Sequence, residues 1–417
     1  MNRRVCMVVK NQLWNDARVK KEARALTEAG WSLTVLAFPE EGAPERETRD
    51  GMEVVRVPRS GRLRVSVRKA LDARESRSGF WSRLRRHPLK TSLGDLFHSL
   101  LYQRRLLALA LKTRADVFHA HDLDTLAVCA LAARLRRARL VYDSHELWLH
   151  STRHLAETGK LFRFLERLAE KTLAPRADAV IAVTPGRARK MKRMYPSVSP
   201  VVVANYPPAV SGGVRDPEIR RALGAEEGDF LFLYQGILCR ERGLEQLVKA
   251  STMTEGSARV AVVGHDACRG ALFALAEELG ARKTMVFHPP VKSEELHRYT
   301  ASADAGLILF QGNCLNHILS LPNKLFEYMM AGIPVLACDL PEIARVVNKH
   351  GCGVTVDPSD PEAVARAMMD MAADPGEARR MGERGRAAAM EFYTWDVSAR
   401  RLLYLYSRLE RGRRRRK

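Results

Sequence analysis

The stretch Ser320-Leu-Pro-Asn-Lys-Leu-Phe-Glu-Tyr-Met-Met-Ala-Gly-Ile-Pro-Val335 gathers side chains that together suit a phosphorylated ligand. It follows an apolar strand pattern, and Ser320 with Pro322 reads as a helix start. Asn323 and Glu327 are four apart and share a face near that end. Lys324 falls in the first turn, beside backbone N–H groups that have no partner within the helix. A cation there opposes the helix dipole, yet it completes a site for a diphosphate. Glu327 is then placed to accept hydrogen bonds from ribose hydroxyls, as acidic residues do in dinucleotide sites. An amphipathic helix with an ordinary surface Lys and Glu has the same spacing, so both readings stand on these residues alone.

A second anchor is Tyr234-Gln-Gly-Ile-Leu-Cys-Arg-Glu-Arg-Gly243, where a turn at Gly236 delivers the guanidinium groups of Arg240 and Arg242 to the end of a strand. Guanidinium forks bind diphosphate oxygens bidentately. In the first half, Asp16 is expected to cap a helix, with Arg18 facing a cleft or pairing with nearby acids. His119-Ala-His-Asp-Leu-Asp124 and Val141-Tyr-Asp-Ser-His-Glu146 end two further strands and bring His121, Asp122 and His145 to the same edge. Asp122-Leu-Asp124 has the spacing of a pair that takes a divalent cation. It lies at a helix start that favours acids, so a capping role is expected and no metal is expected. The chain contains no G-x-x-x-x-G-K-[ST] phosphate loop and nothing with the spacing of a Ser-His-Asp hydrolase.

These segments resemble the retaining, family-4 glycosyltransferases of the GT-B fold. That family carries two glutamates separated by seven residues, the second opening a run that Glu327-Tyr-Met-Met-Ala-Gly-Ile-Pro-Val335 matches. The Ser-Leu-Pro-Asn-Lys-Leu-Phe-Glu-Tyr wording is similar to one sub-branch. The first glutamate, which in the family contacts donor-sugar hydroxyls, falls here on Leu319. The family's Gly-Arg-Leu-x-x-x-Lys-Gly run is matched by Gly236 and by Arg242 at the Lys position. Ile237 stands where the Arg should be, with Arg240 nearby. The resemblance implies donor contacts at Gly236, Arg240, Arg242, Asn323, Lys324, Leu325 and Glu327. It implies catalytic roles for His145, Arg242, Lys324 and Glu327, and an acceptor side at Asp16, Arg18, His121 and Asp122. The metal-binding D-x-D belongs to the other main glycosyltransferase fold. The implied reaction moves a sugar from a nucleotide-sugar to a saccharide, lipid-linked or metabolite acceptor, with retention. It implies a place in cell-surface polysaccharide or glycolipid synthesis.

The elements that must position these residues form two α/β units. Strand patterns at 5–10, 32–38, 53–57, 116–121, 140–144, 179–184 and 201–205 alternate with helical ones such as Ala17–Ala29, Leu123–Arg136 and Leu161–Leu173, as in a parallel sheet. Tyr206-Pro-Pro-Ala-Val-Ser-Gly-Gly-Val214 punctuates the chain as a linker. Alternation restarts with strands at 230–235, 260–263, 285–288, 306–310, 334–337 and 354–356, and three helices close the chain. The expected domains are residues 1–207 and 215–390, each Rossmann-like and facing the other across a cleft. A helix at 391–409 returns to the first domain, and a basic tail runs over 410–417. Residues 59–90 break the rhythm as a basic insertion carrying Phe80, Trp81 and Leu84 among arginines.

With 417 residues and 46% hydrophobic content, the chain has the length and apolar stock for two cores. No apolar run reaches the roughly 18 residues of a spanning helix, and Met1-Asn-Arg-Arg-Val-Cys-Met-Val-Val reads as a first strand, not a signal peptide. Seven scattered cysteines with no C-x-x-C pair argue against a disulfide framework or a zinc site and for a reducing, cytoplasmic setting. The net charge of +21 is concentrated between Arg56 and Arg105 and at residues 411–417. It is read either as attachment to the anionic inner face of a membrane or as a solvated face. Two competing functions remain: a nucleotide-sugar epimerase of the same double fold, for which no catalytic acids stand out, and a nucleic-acid-binding protein, for which no recognised motif is present.

Overall fold

A computed structural model of the chain describes residues 3–40, 42–58, 88–151 and 158–414, without the side chains of residues 15, 88–99, 240 and 412–414. The aromatic and arginine cluster expected at residues 80–86 and the last residues of the tail lie outside the described residues. Within the remaining chain, two sheets form from consecutive halves of the sequence.

The first sheet holds β1 (Arg4–Val8), β2 (Ser32–Ala37), β3 (Arg46–Arg49), β4 (Met52–Arg56), β5 (Val117–His121), β6 (Arg139–Ser144), β7 (Ala179–Ala182) and β8 (Val201–Val202). Their order is β3-β4-β2-β1-β5-β6-β7-β8. All pairings are parallel except β3 with β4. The second sheet holds β9 (Leu231–Gln235), β10 (Arg259–Val263), β11 (Met285–His288), β12 (Ala305–Ile308), β13 (Val335–Cys338) and β14 (Gly353–Val356). Its order is β11-β10-β9-β12-β13-β14, wholly parallel. Each sheet has an apolar cluster on both faces, which is why its strands read as continuous apolar runs.

In both sheets the strand order reverses next to the first strand, between β1 and β5 and between β9 and β12. At such points the connections leave in opposite directions and open a crevice at the carboxyl ends of the strands. The final helix, Trp395–Arg414, contacts the Ala17–Glu28 helix and β8 of the first half. Its Tyr406 packs edge-on against Trp31 with ring centroids 5.1 Å apart. Trp395 N–H donates to the Pro207 carbonyl at 2.8 Å, fastening the helix to the linker.

Several local expectations are corrected. β3 was not anticipated, and β8 stops at Val202 instead of reaching 205. Ser320 does not cap: its hydroxyl donates to the His317 carbonyl, and the helix begins at Asn323 behind Pro322. Arg56, counted in the basic cluster, is buried and paired with Glu47 and Glu40, so it is no part of a charged face. All seven cysteines are free thiols. Among the described residues, no helix is long and apolar enough to cross a membrane.

Candidate functional site

The second sheet's crevice is built from three pieces. The helix Asn323–Ala331 lies over β9 and β12, and Gly306 lets it come close. A Cβ on Gly306 would stand 2.3 Å from the Tyr328 ring. The Tyr328 hydroxyl donates to the Leu233 carbonyl at 3.0 Å and accepts from Gln235 N–H at 3.2 Å. That buried phenol fixes the helix on the strand end and with it the direction of Glu327 and Lys324.

Glu327 accepts a 2.6 Å hydrogen bond from Gln235 Nε2, and Gln235 Oε1 in turn accepts from Thr300 at 2.8 Å. One carboxylate oxygen is thereby fixed. Burial raises the Glu327 carboxyl above its ordinary range, against the pull of Gln235, Lys324 and Lys21. Lys324 places its ammonium 3.8 Å from the Tyr234 ring centroid and 5.6 Å from that of Phe310. Burial, followed by the nearby Arg242 charge, pushes Lys324 down to about 7. Gly236, at φ 129°, leaves room for this amine: a Cβ there would lie 3.2 Å from Nζ.

The Arg242 guanidinium sits 4.3 Å over the Phe310 ring. Its loop turns at Gly243, where a Cβ would overlap the Leu309 carbonyl oxygen at 2.0 Å. Lys324 and Arg242 thus both approach one aromatic ring just past the end of β12. Two cations brought together in a half-buried crevice repel each other, and an anion between them relieves that repulsion.

Of the other residues expected on this side, Asn323 is exposed. Leu325 is fully buried in the second core, so a donor cannot reach its side chain. The Arg240 side chain lies outside the described residues.

The first domain contributes a buried polar network. Asp16 caps the first helix by accepting from Arg18 and Val19 N–H groups, as expected. Arg18 borders a hollow with Asn11, Asp16 and Asn205, but its guanidinium is turned inward. It is 4% exposed, donates to both Asp143 oxygens and to the Val203 carbonyl, and pairs with Glu22 at 2.9 Å. His121 is likewise buried, with Nδ1 3.0 Å from His145 Nε2.

His145 lies between carboxylates, Nε2 3.1 Å from Asp143 and Nδ1 3.4 Å from Asp122. Burial disfavours its charge, but Asp122 and Asp143 prevail and push it up to about 9. Asp122 does not cap the following helix. Its backbone is at φ 65°, and its carboxylate accepts from His145 N–H at 3.0 Å. Asp124 pairs with Lys10 at 3.4 Å, so the two carboxylates of the D-x-D serve different partners.

Glu22, His119, His121 and Asp143 offer ligand atoms within 4.8 Å of one another. The Arg18 guanidinium already supplies their cation, and His119 Nδ1 is engaged by Tyr406 at 2.8 Å. The group is therefore a poor fit to a metal ion.

The two halves meet through side chains that sequence reasoning missed. Arg187 donates to the carbonyl and the amide oxygen of Asn316, and Asn316 accepts from Leu147 N–H and donates to Glu146. Lys21 donates to the Tyr206 carbonyl at 2.6 Å, and its charge reaches Glu327 from the first domain. Gln235, Phe310 and Tyr234 also went unnamed as contributors. The recurring Gln-Gly after β9 and β12 (Gln235-Gly236, Gln311-Gly312) is the one local trace of this crevice.

Residues 215–388 match the model for glycosyl transferases group 1, and residues 16–207 match that for the glycosyl transferase 4-like domain. The D-inositol 3-phosphate glycosyltransferase of Xylanimonas cellulosilytica is 27% identical over 311 residues, covering 72% of this chain and 73% of that protein. Sucrose-phosphate synthase from Thermosynechococcus elongatus superposes with a TM-score of 0.75 at 18% identity, over 98% of this chain and all of that one. Anabaena HepE in complex with UDP-glucose gives a TM-score of 0.71 at 15% identity, over 97% of this chain and 99% of that one. Both superpositions show the same pairing of two parallel-sheet domains. The chain is a glycosyltransferase whose first half matches the 4-like domain and whose second half matches group 1.

Proposed function

We infer that the cleft transfers a sugar from a nucleotide diphosphate donor, held by the second domain, to an acceptor hydroxyl presented from the first. The observation that carries this reading is the convergence of Lys324 and Arg242 on the Phe310 ring, with Glu327 fixed by Gln235 in the same crevice. The cations suit the diphosphate and Glu327 suits the ribose. HepE, a structural neighbour, binds UDP-glucose in a protein of this fold, which supports a uridine or related donor here.

The reaction proposed is transfer with retention. The bond from the anomeric carbon to the diphosphate breaks, and its electron pair stays on the leaving phosphate oxygen. Lys324 and Arg242 stabilise that growing charge. The acceptor hydroxyl attacks from the same face and gives its proton to the leaving oxygen. Leu319, apolar at the position of the family's first glutamate, offers no nucleophile. Metal independence is part of the proposal, because the Asp122 and Asp124 carboxylates are engaged apart and two basic side chains stand where a cation would act.

The setting proposed is cell-surface polysaccharide or glycolipid synthesis on the cytoplasmic face of a membrane, with a saccharide or lipid-linked acceptor. A screen of nucleotide-sugars for slow hydrolysis without acceptor tests the reading. Turnover of one nucleotide-sugar supports it, and binding of none overturns it.

A further inference from the structure

The helix Lys160–Leu173 sits on the first domain the wrong way round for a soluble protein. Its apolar residues Leu161, Phe164, Leu165 and Leu168 fall at spacings of three and four, which places them on one stripe. A stripe of that kind ordinarily faces the core. Here it faces outward, with exposures of 70%, 61%, 46% and 48%. The acids point inward instead: Glu170 is buried and accepts from the Tyr142 hydroxyl at 2.9 Å, and Glu166 is half-buried.

The chemistry around the stripe is cationic. Lys160, Arg167 and Lys171 are exposed along it. Lys160, Arg163 and Arg167 join Leu149 and Phe164 in lining a hollow of about 300 Å³ beside the helix start. The neighbouring helix Leu123–Arg136 packs against this one and continues the surface with exposed Leu131, Leu135, Arg134 and Arg136. Apolar side chains at the centre with cations at the edge, and acids withdrawn, complement a surface of phosphate headgroups over acyl chains.

We propose that the Lys160–Leu173 helix is an interfacial docking face for an anionic membrane, with Leu161, Phe164, Leu165 and Leu168 entering the acyl boundary and Lys160, Arg163 and Arg167 meeting lipid phosphates. The helix comes after β6, whose end at Ser144 leads into His145, so a membrane on this face lies beside the first domain's side of the cleft. The inference stands apart from the donor site, since no residue in it touches the donor crevice.

The test is flotation of the full chain with phosphatidylcholine vesicles and with vesicles that also contain phosphatidylglycerol. The wild type should float with the anionic vesicles, less so at high salt and little with the neutral ones. Leu161→Ser, Phe164→Ser and Leu168→Ser combined should reduce flotation by about tenfold or more. Because these side chains are exposed, the triple variant should keep its melting temperature and its UDP binding, which separates lost docking from a lost fold or a misread donor site. Arg167→Ser alone should weaken binding and flatten its salt dependence. Three results overturn the proposal: equal flotation of the triple variant and the wild type, no flotation of the wild type at low salt, or a wild-type dimer that the triple variant converts to a monomer, which would make a second copy the occupant.

Discussion

Raising the pH from 6.5 to 8.5 should weaken nucleotide binding through Lys324. In the free protein its ammonium is pushed from 10.5 to about 7 by burial and by Arg242, with Glu327 opposing. A diphosphate between the two cations supplies the missing counter-charge, so binding at higher pH must draw a proton onto the amine. If only the ammonium form binds, apparent affinity falls from its pH 6.5 value by about 3-fold at pH 7.5 and about 25-fold at pH 8.5, on the order of 2 kcal/mol. The phosphate's own second ionisation, near pH 6, is about three-quarters complete at pH 6.5, so it changes affinity by less than about twofold over this range and does not mask the effect. Calorimetry of UDP in buffers of different ionisation enthalpy should show proton uptake above pH 7. Lys324→Met should bind more weakly at pH 6.5 and show no such slope. The unliganded protein responds with the opposite sign. The unfolded chain holds the Lys324 proton up to 10.5 while the folded chain releases it near 7, so this group adds stability as pH rises between those values. A wild-type dissociation constant that is flat from pH 6.5 to 8.5, or an equal slope in Lys324→Met, refutes the placement of the amine on the diphosphate.

Other outcomes follow from the same geometry. Glu327→Ala and Lys324→Ala should abolish transfer with little change in melting temperature, and near-normal turnover of both purified proteins would remove them from the donor site. Arg242→Ala should cost nucleotide binding roughly 1.5–3 kcal/mol, the loss of one charge-assisted contact, read by calorimetry. EDTA should leave the rate unchanged, and strict dependence on manganese or magnesium would return the Asp122 and Asp124 carboxylates to the reaction. Arg18→Met should destabilise the fold by about 3–5 kcal/mol in chemical denaturation, because it leaves Asp143 and Glu22 buried without their cation.

The parallel strands were legible because both faces of each sheet are covered, which forces unbroken apolar runs such as Leu231-Phe-Leu-Tyr234. β3 was not, since Arg46-Glu-Thr-Arg49 is a polar edge strand that pairs antiparallel with β4 and presents no alternation. Capping residues were half legible. Asp16 caps the helix that follows it, but Ser320 and Asp122 have the right type in the right place and do something else. In both, a nearby partner engages the side chain: Ser320 donates its hydroxyl to the His317 carbonyl, and Asp122 accepts from His145 N–H. Motif spacing singled out Lys324, Glu327 and Arg242, each tied to a local turn or helix start, and the fold brings them to one crevice. Arg187 with Asn316, and Lys21 near Glu327, could not be found that way, because the partners come from different domains and no local pattern marks such pairs.

Leu319 brings these strands of argument together. The resemblance expects a glutamate there, reaching for the sugar. In this chain the Leu319 carbonyl accepts from Thr184 of the first domain at 3.0 Å, and its side chain packs on that domain's core. Three residues earlier, Asn316 is held by Arg187 and Leu147, also of the first domain. The segment from 314 to 320 is therefore a clasp between domains, and a charged side chain at 319 would have to be desolvated against an apolar surface. The clasp runs into Pro322 and the helix that carries Lys324 and Glu327. A change in how the two domains meet would act on that segment and, through Pro322, on Lys324 and Glu327, the residues proposed to hold the donor. The contact between the domains and the proposed donor grip thus share one stretch of backbone, and leucine at 319 serves that contact where a glutamate would offer a polar one.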